Sequence, residues 1–238
     1  MIGEVTAVIL AGGLGTRLRA AVSDRPKVLA DVAGQPFLER IFEQISGFGI
    51  RKAVVCTGYM AEQIEHLYPA SFRDLSISYS REHALLGTAG AVRFALDQIT
   101  TDRALILNGD SYCAFEYPAF KSFHEAKDAD ASILLTYVDD CSRYGSVVLD
   151  DNARIESFIE KSGAGGAGFI NAGVYMMDRA LIKEIPAGRV LSLEKDIFPK
   201  WIGRQFFGHA SDAPMFIDIG TPQSFQHAQT LFSGRINS

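Results

Sequence analysis

Cysteine is scarce in this chain, long apolar runs are missing, and neither sign of charge dominates. The three cysteines, Cys56, Cys113 and Cys141, leave an odd thiol in any pairing scheme and share no metal-binding spacing. A disulfide framework and a structural zinc site are thereby excluded, and the thiols read as reduced bystanders, with Cys56 inside a strand. No apolar run approaches membrane-spanning length, and the amino terminus lacks a basic segment followed by a secretory core. The expectation is a cytoplasmic protein without a membrane partner. Basic residues number 23 against 28 acidic ones, a net charge of −5, with no basic run interleaved with aromatics. That balance argues against nucleic acid as a partner. Repeats and coiled-coil patterning are also absent, so the oligomeric expectation is a monomer or a homodimer.

What is present suits one α/β domain. The 238 residues are 47% apolar and can bury a sizeable core. Thr6 to Leu10 is a continuous apolar strand, Phe37 to Phe48 has helical spacing, and Lys52 to Thr57 is another buried run. Strand, helix, strand in that order predicts a parallel pair joined by a crossover helix. Met60 to Leu67 reads as a short helix, Leu75 to Tyr79 as a strand, Thr88 to Ile99 as a helix and Ala104 to Leu107 as a strand. The first half is therefore a doubly wound nucleotide-binding layer. In the second half Ser132 to Tyr137 reads as a strand, and Gly145 to Leu149 with Ile155 to Glu160 as a hairpin. Phe169 to Met176 is strand-like, Ser192 to Trp201 helical, Gln205 to His209 and Met215 to Ile219 short strands, and Pro222 to Phe232 a closing helix. No linker separates the halves, 1–110 and 111–238.

Between the first strand and helix, Leu10 to Leu18 read Leu-Ala-Gly-Gly-Leu-Gly-Thr-Arg-Leu, followed by Pro26 and Lys27. Glycines leaving a buried strand let backbone N–H groups approach a phosphate chain, and Arg17 and Lys27 add fixed positive charge. The string lacks the Gly-Lys-Ser/Thr of one common phosphate loop and the third glycine of the dinucleotide fingerprint. Three glycines alone would also suit a tight turn beside a surface arginine. The full string resembles the signature of the sugar-1-phosphate nucleotidylyltransferases, Leu-Ala/Gly-Gly-x-Gly-Thr-Arg-Leu followed by a Pro-Lys pair, with Val28 where members often carry proline or methionine.

That resemblance implies a single Rossmann-like domain, with a mixed, mainly parallel sheet and helices on both faces. The implied reaction condenses a sugar 1-phosphate with a nucleoside triphosphate and releases pyrophosphate, with Mg²⁺ as cofactor. Such an ion is held by one or two carboxylates plus phosphate oxygens. Asp110, in Asn108-Gly109-Asp110 at a strand end, and Asp218, in Asp-Ile-Gly-Thr-Pro, match the family's metal-binding aspartates. Read alone, the first is also a turn and the second also a helix cap or salt-bridged group. Glu160, Lys161, Asn171 and Gly173 match the family's Glu-Lys and Asn-x-Gly, which contact the sugar phosphate, and Gly145 joins them; alone, Glu-Lys is a solvated pair. Leu86-Gly87-Thr88-Ala89-Gly90 matches a segment lying against nucleobase and ribose. Leu10, Ala11, Gly12, Gly13, Gly15, Thr16, Gly58, Gly87, Thr88 and Asn108 are assigned to the nucleotide.

Glu82 falls near the position that reads the base edge. A carboxylate accepts from two adjacent N–H donors, which guanine offers and uracil and thymine do not. The lean is toward GTP, although backbone groups around Ala11, Gly12 and Gly58 serve equally well and Glu82 also reads as a cap. The whole chain looks most like the compact bacterial branch that activates heptose 1-phosphate with GTP for surface polysaccharide synthesis. Alternatives are mannose 1-phosphate, other sugar phosphates with UTP, dTTP or CTP, and phosphocholine held by Tyr112, Phe115, Glu116 and Tyr117. Hydroxyl recognition is expected from loops such as Tyr112 to Tyr117 and Arg143 to Ser146. A non-catalytic nucleotide-sugar sensor is the remaining reading, disfavoured because Arg17, Lys27, Asp110 and Asp218 are all present.

Overall fold

The computed structural model describes residues 5–19, 21–142, 144–159, 166–211 and 215–236. Strand β1 (Thr6–Leu10) leads through the glycine loop and a short hairpin, β2 (Asp31–Val32) and β3 (Gln35–Pro36), into helix α1 (Phe37–Gly47) and strand β4 (Lys52–Thr57). Helix α2 (Ala61–Leu67), strands β5 (Ser71–Phe72) and β6 (Leu75–Arg81), helix α3 (Gly87–Phe94) and strand β7 (Arg103–Asn108) complete the first half. The second half runs β8 (Ser111–Cys113), α4 (Tyr117–Ala126), β9 (Ala131–Val138), β10 (Ser146–Leu149), β11 (Ile155–Ile159) and β12 (Gly168–Asp178). It closes with α5 (Arg179–Glu184), α6 (Phe198–Trp201), β13 (Phe206–Ser211), β14 (Phe216–Asp218) and α7 (Pro222–Ile236).

Ten strands form one mixed sheet in the order β11-β10-β12-β7-β1-β4-β6-β5, with β9 beside β12 and β13 beside β9. The strands β7, β1, β4 and β6 are mutually parallel, while β12 joins β7 antiparallel, Val174 opposite Leu107. The first half thus folds as its alternating pattern predicts, and the hairpin of β10 and β11 is present. Because β1 is covered on both faces, its residues divide: Ala7 and Ile9 enter one core cluster and Val8 the other. Helix α1 supplies Phe37, Leu38, Ile41, Phe42 and Ile45 to the first cluster, and α3, α5 and α6 cover the opposite face. Each such fully buried side chain contributes about 1.5–3 kcal/mol.

Two helices differ from the spacing-based reading. The helix expected over Thr88–Ile99 ends at Phe94 and tightens into a 3₁₀ turn, Leu96–Gln98, which places both Leu96 and Ile99 in the core. The helix expected over Ser192–Trp201 opens as a π turn, Leu193–Ile197, before α6, where Pro199 has no N–H for the regular ladder. The segment Tyr112 to Tyr117, expected as a loop, supplies strand β8 and the start of α4. Tyr112, Phe115 and Glu116 of this segment line a cavity of about 760 Å³ together with Phe48 and His209, whereas Tyr117 does not line it. Phe115 and Tyr117 are buried against Phe48, at ring distances of 5.0 and 5.2 Å, and Tyr112 packs on Phe232 at 5.4 Å. No helix among the described residues is long and apolar enough to cross a membrane.

On α4, His124 is wholly buried, with Nδ1 2.9 Å from Ser132 Oγ and Nε2 3.5 Å from Asp178 Oδ1. Among the described residues no hydrogen bond satisfies Nε2. Burial holds the imidazole pKa below its ordinary 6.5, against the opposing pull of Asp178. The fold keeps His124 neutral, whereas the unfolded chain takes up a proton below about pH 6.5. Stability is therefore expected to fall as the pH drops through and below that value. Melting temperatures between about pH 7.5 and 5.5 test this: the decline should be shallower in His124→Asn, and parallel profiles would refute it.

Candidate active site

At the carboxyl end of β1 the backbone stays in register for one residue, Ala11 N–H donating to Cys56 O at 2.9 Å, and then leaves the sheet. Gly12, Gly13, Leu14, Gly15 and Thr16 wall a cavity of about 550 Å³, a size suited to a nucleotide. It lies where parallel strands of open α/β sheets place ligands. Leu10, Ala11, Glu82, Gly87, Thr88 and Asn108 line it as expected, together with Lys27 and Asp110. Gly58 stands behind the loop: the N–H of Tyr59 reaches Gly12 O at 3.5 Å. Cys56, read from sequence as a strand residue only, also lines the cavity. Burial pushes its thiol pKa far up, so it offers an apolar contact rather than a nucleophile.

Lys27 opens a 3₁₀ turn, Lys27–Leu29, whose Val28 and Leu29 are buried and fix the backbone beneath the ammonium. Its Nζ pairs with Asp110 Oδ2. Asp110 follows β7 directly, and the antiparallel pair β8–β14 brings Asp218 alongside, with Asp218 opposite Ser111. The Ile219 N–H donates to Asp110 O at 2.9 Å. The two aspartates are thus neighbours, although a hundred residues of chain lie between them. Asp218 Oδ1 accepts from Gly220 N at 2.8 Å and Ser224 Oγ at 3.0 Å, and Oδ2 accepts from Tyr144 OH at 2.9 Å. Arg17 does not line the cavity but lies beside this group. A Cβ built on Gly220 would stand 2.9 Å from Asp218 Oδ1 and 3.6 Å from Arg17 Nη2. Lys27 and Asp110 thus form a pair in the cavity wall, and Asp218 and Arg17 lie beside them outside the lining.

Behind Asn108 lies a polar cluster. The pairing of β12 with β9 breaks between Asn171 and Tyr175, where Gly173 takes φ +74°. A Cβ there would fall 2.7 Å from both Asn108 Nδ2 and Ser111 Oγ, so only glycine lets β12 approach β7 this closely. Asn171 Oδ1 accepts from Gly173 N at 2.8 Å, and its Nδ2 donates to Tyr175 OH at 2.9 Å. Tyr175 is fully buried, contacts Asn108 as well, and donates to Glu194 Oε1 at 3.4 Å. One phenol thus orients both amides. Asn171 retains a second N–H and the other lone pair of Oδ1, so it can still both donate and accept. Tyr175 and Glu194 escaped the sequence reading; a tyrosine between Val174 and Met176 in a buried strand is the one signal that points to them.

Gly145 sits beside Tyr144, the Asp218 partner, while Glu160, Lys161 and Arg143 lie outside the described residues. At the other end of the cavity Glu82 is 8% exposed, and its Oε2 accepts from Leu86 N at 3.0 Å. Burial raises its pKa and the Leu86 N–H opposes that rise. Glu82 is thus at once a cap on the turn before α3 and a cavity wall. Thr88 Oγ1 accepts from Leu193 N at 2.8 Å, tying α3 to the second half.

With this geometry in view, a family model described as nucleotidyl transferase matches residues 6–233. The D-glycero-alpha-D-manno-heptose 1-phosphate guanylyltransferase of Aneurinibacillus thermoaerophilus is 37% identical over 224 residues, covering 94% of this chain and 96% of that protein. The mannose-1-phosphate guanylyltransferase of Mycobacterium tuberculosis is 33% identical over 226 residues, 93% of this chain but 63% of that protein. HddC from Yersinia pseudotuberculosis, complexed with GMP-PN, is 34% identical and superposes with a TM-score of 0.84 over 96% of this chain and 100% of its own. The chain belongs to the nucleotidyl transferases.

Proposed function

We propose that this chain is a guanylyltransferase that joins GTP to D-glycero-alpha-D-manno-heptose 1-phosphate and releases pyrophosphate. The observation that carries the reaction class is the meeting of Lys27, Arg17, Asp110 and Asp218 beside the glycine loop. The acceptor is taken from the heptose 1-phosphate guanylyltransferase that the chain matches along nearly its whole length. In this reading residues 1–110 form the nucleotide half and 111–238 the sugar-phosphate half of one domain. The enzyme works in the cytoplasm as a monomer or homodimer and supplies a sugar donor for surface polysaccharide.

A phosphate oxygen of the sugar phosphate attacks the α-phosphorus of GTP. As that phosphorus–oxygen bond forms, the bond to the β-phosphate breaks, and its electron pair leaves with pyrophosphate. The acceptor is already an anion near neutral pH, so the chain needs no general base; its work is positioning and charge neutralisation. The loop amides of Gly12 to Thr16 hold the phosphates, Lys27 bridges the α-phosphate and the incoming phosphate, and Arg17 faces the departing pyrophosphate. Asn108 and Asn171, set by Tyr175, hold ribose and sugar, with Gly173, Gly145, Glu160 and Lys161 completing the acceptor side.

Asp110 and Asp218 suit a magnesium ion. Asp110 Oδ1 has no donor among the described residues, and no cluster of three acidic, histidine or cysteine ligands surrounds it there. Such a donor set fits an ion that takes one or two carboxylates and completes its shell with phosphate oxygens and water. Bound there, Mg²⁺ would neutralise phosphate charge.

The reading is tested by pyrophosphate release from GTP, UTP, CTP, ATP and dTTP, each crossed with heptose, mannose, glucose and N-acetylmuramic acid 1-phosphates. Release should be fastest with GTP and the heptose phosphate. A preference for mannose 1-phosphate would move the enzyme to the second relative's acceptor, and binding without release would replace catalysis by sensing. Glu82 supports the choice of base: it lines the cavity with Oε2 engaged by Leu86 N, which leaves Oε1 as the acceptor for a guanine N–H. Glu82→Gln is expected to lower the GTP over UTP preference in kcat/KM by about tenfold or more, the scale of a lost charge-assisted hydrogen bond. An unchanged ratio would leave Glu82 a cap alone.

A further inference from the structure

One residue lining the cavity comes from the far half of the chain. Val190 lies between α5 and the π turn, lines the cavity, and is 73% exposed. Leu85 and Leu14, 43% and 40% exposed, line the same cavity. Exposed aliphatic side chains converging on a ligand cavity mark a surface that a ligand covers.

Val190 is not on a loose loop. Leu191 N donates to Leu86 O at 2.8 Å, and Ala89 N and Gly90 N donate to Leu191 O at 2.9 and 3.3 Å. Two glycines of the Leu-Gly-Thr-Ala-Gly segment make this docking possible. A Cβ on Gly87, at φ +71°, would stand 2.5 Å from Leu191 O, and one on Gly90 would stand 2.6 Å from Arg189 O. Both glycines therefore serve close packing of the strap on α3, in addition to any contact with nucleotide. The strap backbone is held by hydrogen bonds at Leu191 and packs closely on Gly90 through Arg189, while the Val190 side chain is left bare.

Lys27 and Asp110 line the cavity at the end of β7, whereas Cys56 in β4 and Glu82 after β6 line it on the far side of β1, with Leu85 and Ala91 also in its wall. The only broad apolar surface of a nucleoside triphosphate is the flat face of its base. We propose that Val190, with Leu85, packs against the face of the bound nucleobase and fixes it for reading by the cavity wall, making Val190 a nucleotide-affinity residue supplied by the second half of the chain. The proposal rests on the nucleotide reading of this cavity given above.

The test is calorimetric titration of the full chain with GMP and with pyrophosphate, alongside steady-state kinetics, in wild type, Val190→Ser and Val190→Ile. Val190→Ser should weaken GMP binding and raise the KM for GTP by about five- to tenfold. Pyrophosphate binding, the KM for sugar phosphate, kcat at saturation and the melting temperature should stay as in wild type. Val190→Ile should restore GMP affinity. A merely structural role would move the melting temperature instead, and this would overturn the proposal. Unchanged GMP affinity in Val190→Ser, beside a wild type that binds GMP, overturns this contact alone. A wild type that binds neither GMP nor GTP overturns both the contact and the function on which it rests.

Discussion

Lys27→Met should lower kcat/KM by about 10²–10³-fold while leaving the fold intact, the scale observed when one preorganised donor to a developing charge is removed. The substitution keeps an unbranched stem of similar volume, and the neighbouring Val28 and Leu29 remain buried in the core, so the turn that carries the residue is retained. What disappears is a cation held at the phosphate end of the cavity by Asp110. Asp110, about a third exposed, then regains water instead of being stranded as a buried charge. Melting temperature and pyrophosphate release measured on the same preparation separate the two effects. Activity within about threefold of wild type would remove Lys27 from the reaction.

Asp218→Asn is expected to have an effect of similar size, with a different signature. The amide retains an oxygen to accept from Gly220 N and Ser224 Oγ, so the start of α7 keeps its anchor. The negative charge beside Asp110 and Arg17 is lost. Turnover at about 1 mM Mg²⁺ should fall by about 10²-fold, on the scale of lost preorganised charge, and the Mg²⁺ concentration for half-maximal rate should rise. An unchanged metal dependence would reduce Asp218 to a cap. A large fall in melting temperature would instead make its carboxylate chiefly structural, a role its three hydrogen-bond donors also permit.

Both substitutions act on residues legible in the sequence, for a physical reason. Phosphate binding makes local demands, glycines without side chains and a cation close by in the chain, and local demands leave a string such as Leu-Ala-Gly-Gly-Leu-Gly-Thr-Arg-Leu. Strands covered on both faces likewise leave continuous apolar runs, which is why β1, β4 and β7 were placed within a residue or two. Helix α4 escaped, because its buried side includes His124, a polar residue whose burial depends on Ser132 of another strand. The internal breaks near Leu96 and Pro199 follow from what each segment packs against.

By itself, the sequence determined the alternating strand and helix layer, the glycine loop and the charged residues near it, since each rests on short-range pattern. Tertiary structure alone decided which of those residues meet. It set Asp218 beside Asp110 through the β8–β14 pair, and it turned Gly173 into the point where β12 closes on Asn108. It also joined Asn108 and Asn171 through Tyr175 and brought Val190 into the wall of the cavity. These are contacts between segments far apart in the chain, and no local periodicity records a partner that lies on another strand.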